Sequence, residues 1–290
     1  MELHSLRVFL TVAAEKSFSR AAQKLLRTQP AISLSIQRLE SELGEQLIDR
    51  LSKHITLTPA GQIVYDYARR FESLQGDLEN SLAELRDKSA GRLAIGANES
   101  STLYLLEHIE RFRAKYPKIR VQVRRSQSSR IPAALIDGEL ELGILTYDPE
   151  DDRIVSKIIF NDHLAFVVSP KHALAARKEV AIEELGAETF IAHNVVSPYR
   201  GLVLRAFQEH KVTLNMDLEM PTIEAIRKMV ERNDGVAFLP RMCVEDEIRI
   251  GLLHEIKVKE LTMERAIRLV YPAKRALSHA AQAFLEVIGG

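Results

Sequence analysis

The chain has 290 residues, which at roughly 150 residues per domain corresponds to about two domains and allows a sizeable hydrophobic core. Hydrophobic residues make up 46% of the chain and charged residues 28%, which excludes global disorder. The 40 Lys and Arg residues balance the 40 Asp and Glu residues, so any attraction to nucleic acid, membranes or acidic substrates must be local. A single cysteine, Cys243, excludes an internal disulfide, and no apolar run reaches the roughly 18 residues of a membrane span. We therefore expect a cytoplasmic protein.

The first 44 residues predict three helices. The second helix is expected to begin at a cap on Ser19, and the third to begin at a cap on Thr28, with Pro30 in its first turn and Gly44 at its end. Small residues in the second helix allow a close approach of its neighbour. The apolar stripe of the first helix consists of Leu3, Leu6, Phe9, Leu10 and Ala13.

Two helices joined by a tight turn, the second with a polar outer face, are typical of a helix-turn-helix that inserts its second helix into a major groove. Gln29 and Ser33 are the expected base-contacting residues, and a small helical core with a polar surface is the alternative. Segments 46–50 and 55–58 flank a polar turn and predict a hairpin wing. Arg50 and Lys53 in this wing are placed to contact phosphates.

Several motifs in this region resemble the N-terminal signature of LysR-type transcriptional regulators. They are Phe18-Ser19-Arg20-Ala21-Ala22, Thr28-Gln29-Pro30-Ala31-Ile32-Ser33, Arg38-Leu39-Glu40, Leu43-Gly44 and Leu57-Thr58-Pro59-Ala60-Gly61. In this family a basic residue often follows the Ser that corresponds to Ser33, whereas this chain has Leu34. Two roles are open for Leu34, a contact with a thymine methyl and packing in the core. The predicted DNA-contacting residues are Ser19, Arg20, Arg27, Thr28, Gln29, Pro30, Ser33, Leu34, Gln37, Arg38, Arg50, Lys53 and His54.

A long helix is predicted over 59–90, capped by Thr58 and opened by Pro59. About 30 helical residues span about 45 Å, more than a packed domain helix needs, so pairing of two chains is favoured over folding onto its own domain. The resemblance agrees, because LysR-type regulators dimerise through this linker helix. The apolar seam consists of Val64, Tyr67, Phe71, Leu74, Leu78, Leu82 and Leu85.

Residues 91–290 alternate short apolar strands with amphipathic helices, which predicts a mostly parallel sheet in two α/β lobes. Segments 93–96, 112–117, 137–143 and 235–240 resemble the LysR-type effector-binding domain, which has the two-lobed plan of periplasmic binding proteins. The resemblance implies crossings between lobes near 160–163 and 264–266. The predicted units are a winged helix-turn-helix (1–58), a linker helix (59–90), lobe I (about 91–161 and 266–290) and lobe II (about 162–265).

The effector site is expected where strand ends and helix N-termini converge between the lobes. Ordinary helix capping is the alternative role for each Ser and Thr there. Helix ends and Arg200 favour a carboxylate, although Glu99 and Glu219 leave a neutral or amino-bearing effector open. The predicted effector-binding residues are Asn98, Ser100, Ser101, Thr102, Gln127, Ser128, Thr146, Tyr147, Ser197, Tyr199, Arg200 and Thr222.

The sequence predicts no metal site, cofactor or catalytic residue, and residues 265–268 are expected at the surface of the sheet. The function favoured is a LysR-type regulator of double-stranded promoter DNA, controlled by a small-molecule effector. The resemblance implies a homodimer that forms a tetramer, and contact with RNA polymerase during activation. A solute-binding module without DNA function is the rival, disfavoured by the helix-turn-helix and by the lack of a signal peptide. An enzyme is less favoured still.

Overall fold

The computed structural model describes residues 2–49, 55–86, 90–195 and 197–289. Its N-terminal part consists of α1 (Leu3–Glu15), α2 (Phe18–Lys24), α3 (Gln29–Leu43) and an antiparallel hairpin of β1 (Ile48–Asp49) and β2 (Thr56–Leu57). The three helices share one apolar core, in which Phe9, Ile32 and Ile36 are fully buried. The tip of the predicted wing, with Arg50, Lys53 and His54, lies outside the described residues.

The predicted cap of α2 was wrong by two residues. Ser17, not Ser19, has the extended backbone of a cap, and its hydroxyl accepts a hydrogen bond from the Arg20 N–H at 3.3 Å. Phe18 is the first residue of the helix, and its ring packs against the helical core. Ser19 is left exposed in the first turn.

The linker helix α4 (Pro59–Arg86) begins as predicted. The Thr58 hydroxyl accepts a hydrogen bond from the Gly61 N–H at 2.9 Å and donates one to the Gln46 carbonyl at 2.5 Å, which ties the helix to the wing. Ala68 is buried against the core of α1–α3, with Val64 packed beside it. The first third of α4 is therefore one body with the helix-turn-helix.

Gly61 and Gly76 give a matched pair of substitutions in α4. A Cβ on Gly61 would overlap the Leu47 carbonyl oxygen and lie 2.9 Å from its carbonyl carbon, whereas a Cβ on Gly76 would meet nothing within 4 Å. We expect Gly61→Ala to lower the free energy of unfolding by about 1–3 kcal/mol, as overpacking does. Gly76→Ala should raise it by roughly 0.5–1 kcal/mol, because alanine favours the helix. Urea unfolding followed by circular dichroism checks both, and equal effects of the two substitutions would contradict the packing.

The effector domain contains ten strands and six α-helices within the described residues. The strands are β3 (Gly91–Ala97), β4 (Ile119–Arg125), β5 (Leu142–Leu145), β6 (Ile154–Val168), β7 (Glu179–Val180), β8 (Thr189–His193), β9 (Asn215–Met220), β10 (Ala237–Pro240), β11 (His254–Val258) and β12 (Glu264–Pro272). The helices are α5 (Glu99–Lys115), α6 (Ile131–Ile136), α7 (Pro198–Glu209), α8 (Ile223–Glu231), α9 (Glu245–Arg249) and α10 (His279–Gly289).

The two lobes are joined by the long strands β6 and β12, which pair along the whole of Glu264–Pro272. Strands β3–β5 with α5, α6 and α10 form lobe I, and β7–β11 with α7–α9 form lobe II. The prediction of a mostly parallel sheet holds only within the lobes, where β3 is parallel to β4 and β5, β7 to β11, and β8 to β9. It was wrong where the lobes join, because β12 is antiparallel to both β5 and β6, and β6 is antiparallel to β10 and β11. A strand that crosses between lobes and another that returns must run in opposite directions.

Two further properties concern the described residues alone. None of their helices combines the length and the hydropathy needed to cross a bilayer. Nor do their His, Cys, Asp and Glu side chains form a group of three or more that could hold a metal ion.

Candidate DNA-binding surface and effector cleft

Helix α3 has one apolar and one polar face. Its buried face consists of Ile32, Ile36 and Leu39, which pack into the helical core. The opposite face leaves Gln29 and Leu34 in solvent. Leu34 is 47% exposed, so core packing does not account for it. The other predicted DNA-contacting residues on α3 are exposed Pro30, Gln37 and Arg38, and half-buried Ser33.

The turn between α2 and α3 is also exposed. Arg27 and Thr28 lie in solvent there, next to Leu26, which is 93% exposed and has a left-handed backbone with φ of 53°. The Arg20 guanidinium, predicted to contact DNA, instead donates from Nε to the Glu15 carbonyl at 3.1 Å. The Glu15 carboxylate also accepts a hydrogen bond from Lys24 at 2.6 Å, which lowers the pKa of Glu15. Arg20 of α2 is thus hydrogen-bonded to the last residue of α1.

Helix α4 has two distinct faces beyond the helix-turn-helix. Its exposed apolar seam includes Tyr67, Phe71, Leu74, Leu78 and Leu82. The opposite face meets lobe I through Arg69, Ser73, Gly76 and Asn80, which recur at the same three- and four-residue spacing. The prediction favoured pairing of two chains through α4 over folding of α4 onto its own domain. In the structure, one face of α4 contacts lobe I, and the apolar seam on the opposite face is uncovered.

Polar groups form the contact between α4 and lobe I. Three side chains of α4 contact the turn that precedes β5. Ser73 donates a hydrogen bond to the Gly138 carbonyl, and Arg69 forms an ion pair with Glu139. Arg70 Nε lies 2.8 Å from Asp137 Oδ1. A cavity of about 300 Å³ lies in this contact. Burial raises the pKa of Glu139, which outweighs the effect of Arg69. Gly138 has φ of 82°, and a Cβ there would lie 2.8 Å from the Ser73 hydroxyl.

The wall of the cleft on lobe I is a set of linked polar groups at the N-terminus of α5. Asn98 caps this helix by accepting from the Ser101 N–H at 2.9 Å, and its amide nitrogen donates to the Ser128 hydroxyl at 2.9 Å. The Tyr147 hydroxyl donates to the Ser128 carbonyl at 3.2 Å. These strand ends therefore meet at one edge of lobe I, with Gln127 exposed beside Ser128.

The wall on lobe II carries the N-termini of α7 and α8. The Ser197 hydroxyl caps α7 by accepting from the Arg200 N–H at 3.2 Å, and Thr222 caps α8. The Tyr199 hydroxyl crosses the cleft and donates to the Thr146 carbonyl at 2.7 Å. Because its ring is half-buried, the pKa of Tyr199 is raised. The Tyr199 hydroxyl thus brings the N-terminus of α7 in lobe II against the end of β5 in lobe I.

Three predicted effector-binding residues are placed differently from the prediction. Ser101 is fully buried, and its hydroxyl is bonded to the Asn98 cap at 2.7 Å, so it cannot contact a ligand. The Arg200 guanidinium is ion-paired with Glu219 at 2.5 Å and also donates to the His193 carbonyl at 3.2 Å. Its charge is therefore neutralised within lobe II. Thr102 donates its hydroxyl proton to the Asn98 carbonyl at 2.7 Å and acts within the cap.

A buried ion pair where the lobes join was missed by the sequence analysis. Arg265 Nε lies 3.5 Å from Asp162 Oδ2, and both side chains are only 3% exposed. Arg265 also donates to the Ser100 hydroxyl at 3.0 Å and lies over the Tyr199 ring, with 5.6 Å between guanidinium carbon and ring centroid. Burial raises the pKa of Asp162 despite the pull of Arg265. The expectation that Arg265 lies at the surface was wrong, because its side chain is buried against Ser100 of α5 and Tyr199 of α7.

Cys243 follows β10 and is buried in the same region. Burial raises the pKa of its thiol to about 12, so it is a thiol at neutral pH. A reactive thiolate, which a helix start can favour, is therefore not supported at this position.

Comparison with known proteins agrees with this architecture. Residues 3–62 match the family described as "Bacterial regulatory helix-turn-helix protein, lysR family", and residues 86–290 match "LysR substrate binding domain". A "Probable RuBisCO transcriptional regulator" of Chlorokybus atmophyticus is 31% identical over 289 residues, covering 97% of this chain and 92% of that protein.

Two solved structures of one regulator share the fold over the full length of the chain. The crystal structure of CbnR, a LysR family transcriptional regulator, has a TM-score of 0.77 at 18% identity and covers 100% of this chain and 98% of that one. Full-length CbnR complexed with its target DNA has a TM-score of 0.75 at 19% identity, with 100% and 99% covered. The chain belongs to the LysR family of transcriptional regulators and has a DNA-binding helix-turn-helix domain and an effector-binding domain.

Proposed function

We propose that two copies of this chain bind a partly palindromic promoter site through units 1–58, joined by linker helices 59–90. The observation that carries the proposal is the pair of uncovered surfaces, the polar face of α3 and the apolar seam of α4. A two-fold dimer would cover the seam and present two recognition helices to two half-sites. The family resemblance extends the proposal to a tetramer, to contact with RNA polymerase during activation, to a cytoplasmic location and to a role without catalysis.

The DNA contacts proposed for each half-site have two roles. Gln29, Ser33 and Leu34 would contact base edges, Leu34 through a thymine methyl. The remaining contacts would go to the backbone, which positions the protein without reading sequence. They comprise Ser19, Arg27, Thr28, Pro30, Gln37, Arg38 and the wing residues Arg50, Lys53 and His54, with Arg20 contributing if it leaves Glu15.

Gln29→Ala tests this assignment. We expect it to weaken binding to the specific operator by about 1–3 kcal/mol, because one bidentate base contact is lost, and to leave binding to random duplex DNA unchanged. Fluorescence anisotropy on both duplexes at one salt concentration measures the difference. Gln23→Ala is the control, since Gln23 is an exposed glutamine on α2 outside the proposed contacts. An equal loss on both duplexes would contradict a base-reading role for Gln29.

We propose that a small-molecule effector binds in the cleft between a lobe I of about 91–161 and 266–290 and a lobe II of about 162–265. Asn98, Ser100, Gln127, Ser128, Thr146, Tyr147, Ser197, Tyr199 and Thr222 would line it, with Thr102 and Arg200 acting through neighbours. An effector with different affinities for two lobe arrangements shifts their populations, a coupling typically worth about 1–3 kcal/mol. The polar contact of Asp137, Gly138 and Glu139 with α4 would carry that shift to the DNA-binding unit.

A further inference from the structure

Glu99 makes a contact across the cleft that none of the predicted roles explains. It is the first residue of α5 in lobe I, and its Oε1 accepts a hydrogen bond from the N–H of Ile223, the first residue of α8 in lobe II, at 2.8 Å. Its Oε2 lies 3.4 Å from Arg125 Nη2 and 3.5 Å from His193 Nε2. One carboxylate of lobe I thus lies among donors supplied by both lobes.

These donors have the features of an anion-binding site. Helix α8 has nine residues, and its N-terminus carries free N–H groups and the positive end of the helix dipole. Thr222 takes the N–H of Ala225 at 3.2 Å, which leaves the Ile223 N–H for an acceptor outside the helix. His193 Nε2 is buried without a hydrogen-bond partner of its own among the described residues, beside the Glu99 carboxylate.

Arg200, which was expected to attract an anionic effector, and the buried Arg265 are both already paired with carboxylates. Arg200 is paired with Glu219, and Arg265 is paired with Asp162. The N-terminus of α8 differs from these two pairs, because it offers main-chain N–H groups from lobe II, and the carboxylate that pairs with its neighbours Arg125 and His193 is Glu99 of lobe I. That place is filled by the chain's own carboxylate.

We propose that Glu99 is an internal occupant of the effector's anion subsite, and that an effector carboxylate displaces it from the first turn of α8. The inference rests on the proposed function of the cleft as the effector site, and it assigns the effector to small carboxylates. In the unliganded protein Glu99 links the lobes directly. A bound effector would contact both lobes and so replace this link. It would bind more weakly than to an empty site, because the carboxylate of Glu99, tethered to the chain, competes with it at high local concentration.

Chemical rescue by acetate tests the proposal in the full-length protein. Glu99→Ala removes a CH₂–COO⁻ unit, which acetate matches in size and charge. Without ligand, we expect the Ile223 amide to exchange its hydrogen about tenfold faster in Glu99→Ala than in the parent, at the low end of what a hydrogen bond to a charged acceptor confers. Millimolar acetate should restore slow exchange, whereas acetamide and equal chloride should not. Hydrogen exchange resolved at the first turn of α8 gives the readout.

Glu110→Ala is the matched control, because Glu110 is an exposed glutamate on the same helix. It should leave the exchange of Ile223 unchanged with or without acetate. Exchange in Glu99→Ala equal to that in Glu110→Ala, or equal rescue by acetamide and acetate, would overturn the proposal. Should Glu99→Ala fold poorly, Glu99→Leu keeps much of the size of the side chain but has no acceptor, and unchanged Ile223 exchange in it would be equally contradictory. Operator binding measured on the same samples separates the role of Glu99 from the proposed function. A parent protein that does not bind the operator would refute the proposed function, whereas the exchange of Ile223 tests Glu99.

Discussion

Leu74→Glu should convert the protein to a monomer and lower its affinity for an operator with two half-sites by about 10²- to 10⁴-fold, the range that bivalent binding contributes. Leu74 lies in the middle of the α4 seam and is 65% exposed in the single chain. In the proposed dimer it packs against the partner helix, where a carboxylate would be buried without a partner of opposite charge. The face of α4 that meets lobe I is on the other side of the helix, so the fold of each chain should be retained.

Sedimentation velocity and anisotropy on the same sample measure both effects. Ile250→Glu is the control, because Ile250 is also an aliphatic residue with 65% exposure but lies at the end of α9 in lobe II. It should stay dimeric and bind the operator normally. A dimeric Leu74→Glu variant with full operator affinity would remove α4 from the dimer interface.

Asp162→Ala should destabilise the effector domain by about 3–5 kcal/mol, because it leaves the buried Arg265 guanidinium without its carboxylate. The raised pKa of Asp162 agrees with this view, since burial penalises its charge more than Arg265 compensates. The pair therefore adds little net stability while intact, and breaking it is costly. The double variant Asp162→Leu with Arg265→Met should recover most of the loss, because neither charge then remains buried.

Denaturant unfolding followed by circular dichroism suits this test, since the chain has no tryptophan. Asp148→Ala is the control. Asp148 pairs with Arg268 of the same strand β12 at 2.9 Å but is 45% exposed, so its loss should cost at most about 1 kcal/mol. An equal small loss in Asp162→Ala and Asp148→Ala would show that water reaches the Arg265 side chain.

Local sequence patterns predict much of the fold. The periodicity of apolar residues predicts α1 and α3, and the Thr58 cap with Pro59 predicts the start of α4, which is found where expected. The exact cap of α2 was missed because either Ser17 or Ser19 can accept the first free N–H. The packing of Phe18 decides between them, and packing is not visible in a run of three residues.

The candidate site was less accessible to sequence reasoning. Asn98 and Thr222, which were predicted to bind the effector, do cap helices, because helix caps after strands have a local signature. Arg265 and Asp162 lie 103 positions apart, so their pairing depends on the register of β6 against β12. Glu99 was judged only as a charge unfavourable to an anion, since its bond to Ile223 depends on the relative position of α5 in lobe I and α8 in lobe II.

The central claim is that a matched pair of helix-turn-helix units reads a specific duplex. Selection of binding sites by the full-length protein from a pool of randomised duplexes tests it most directly. We predict enrichment of an inverted repeat whose half-site centres are about 10–10.5 base pairs, or a multiple of that, apart. Enrichment of a single unrepeated element, or of no sequence at all, would contradict the account.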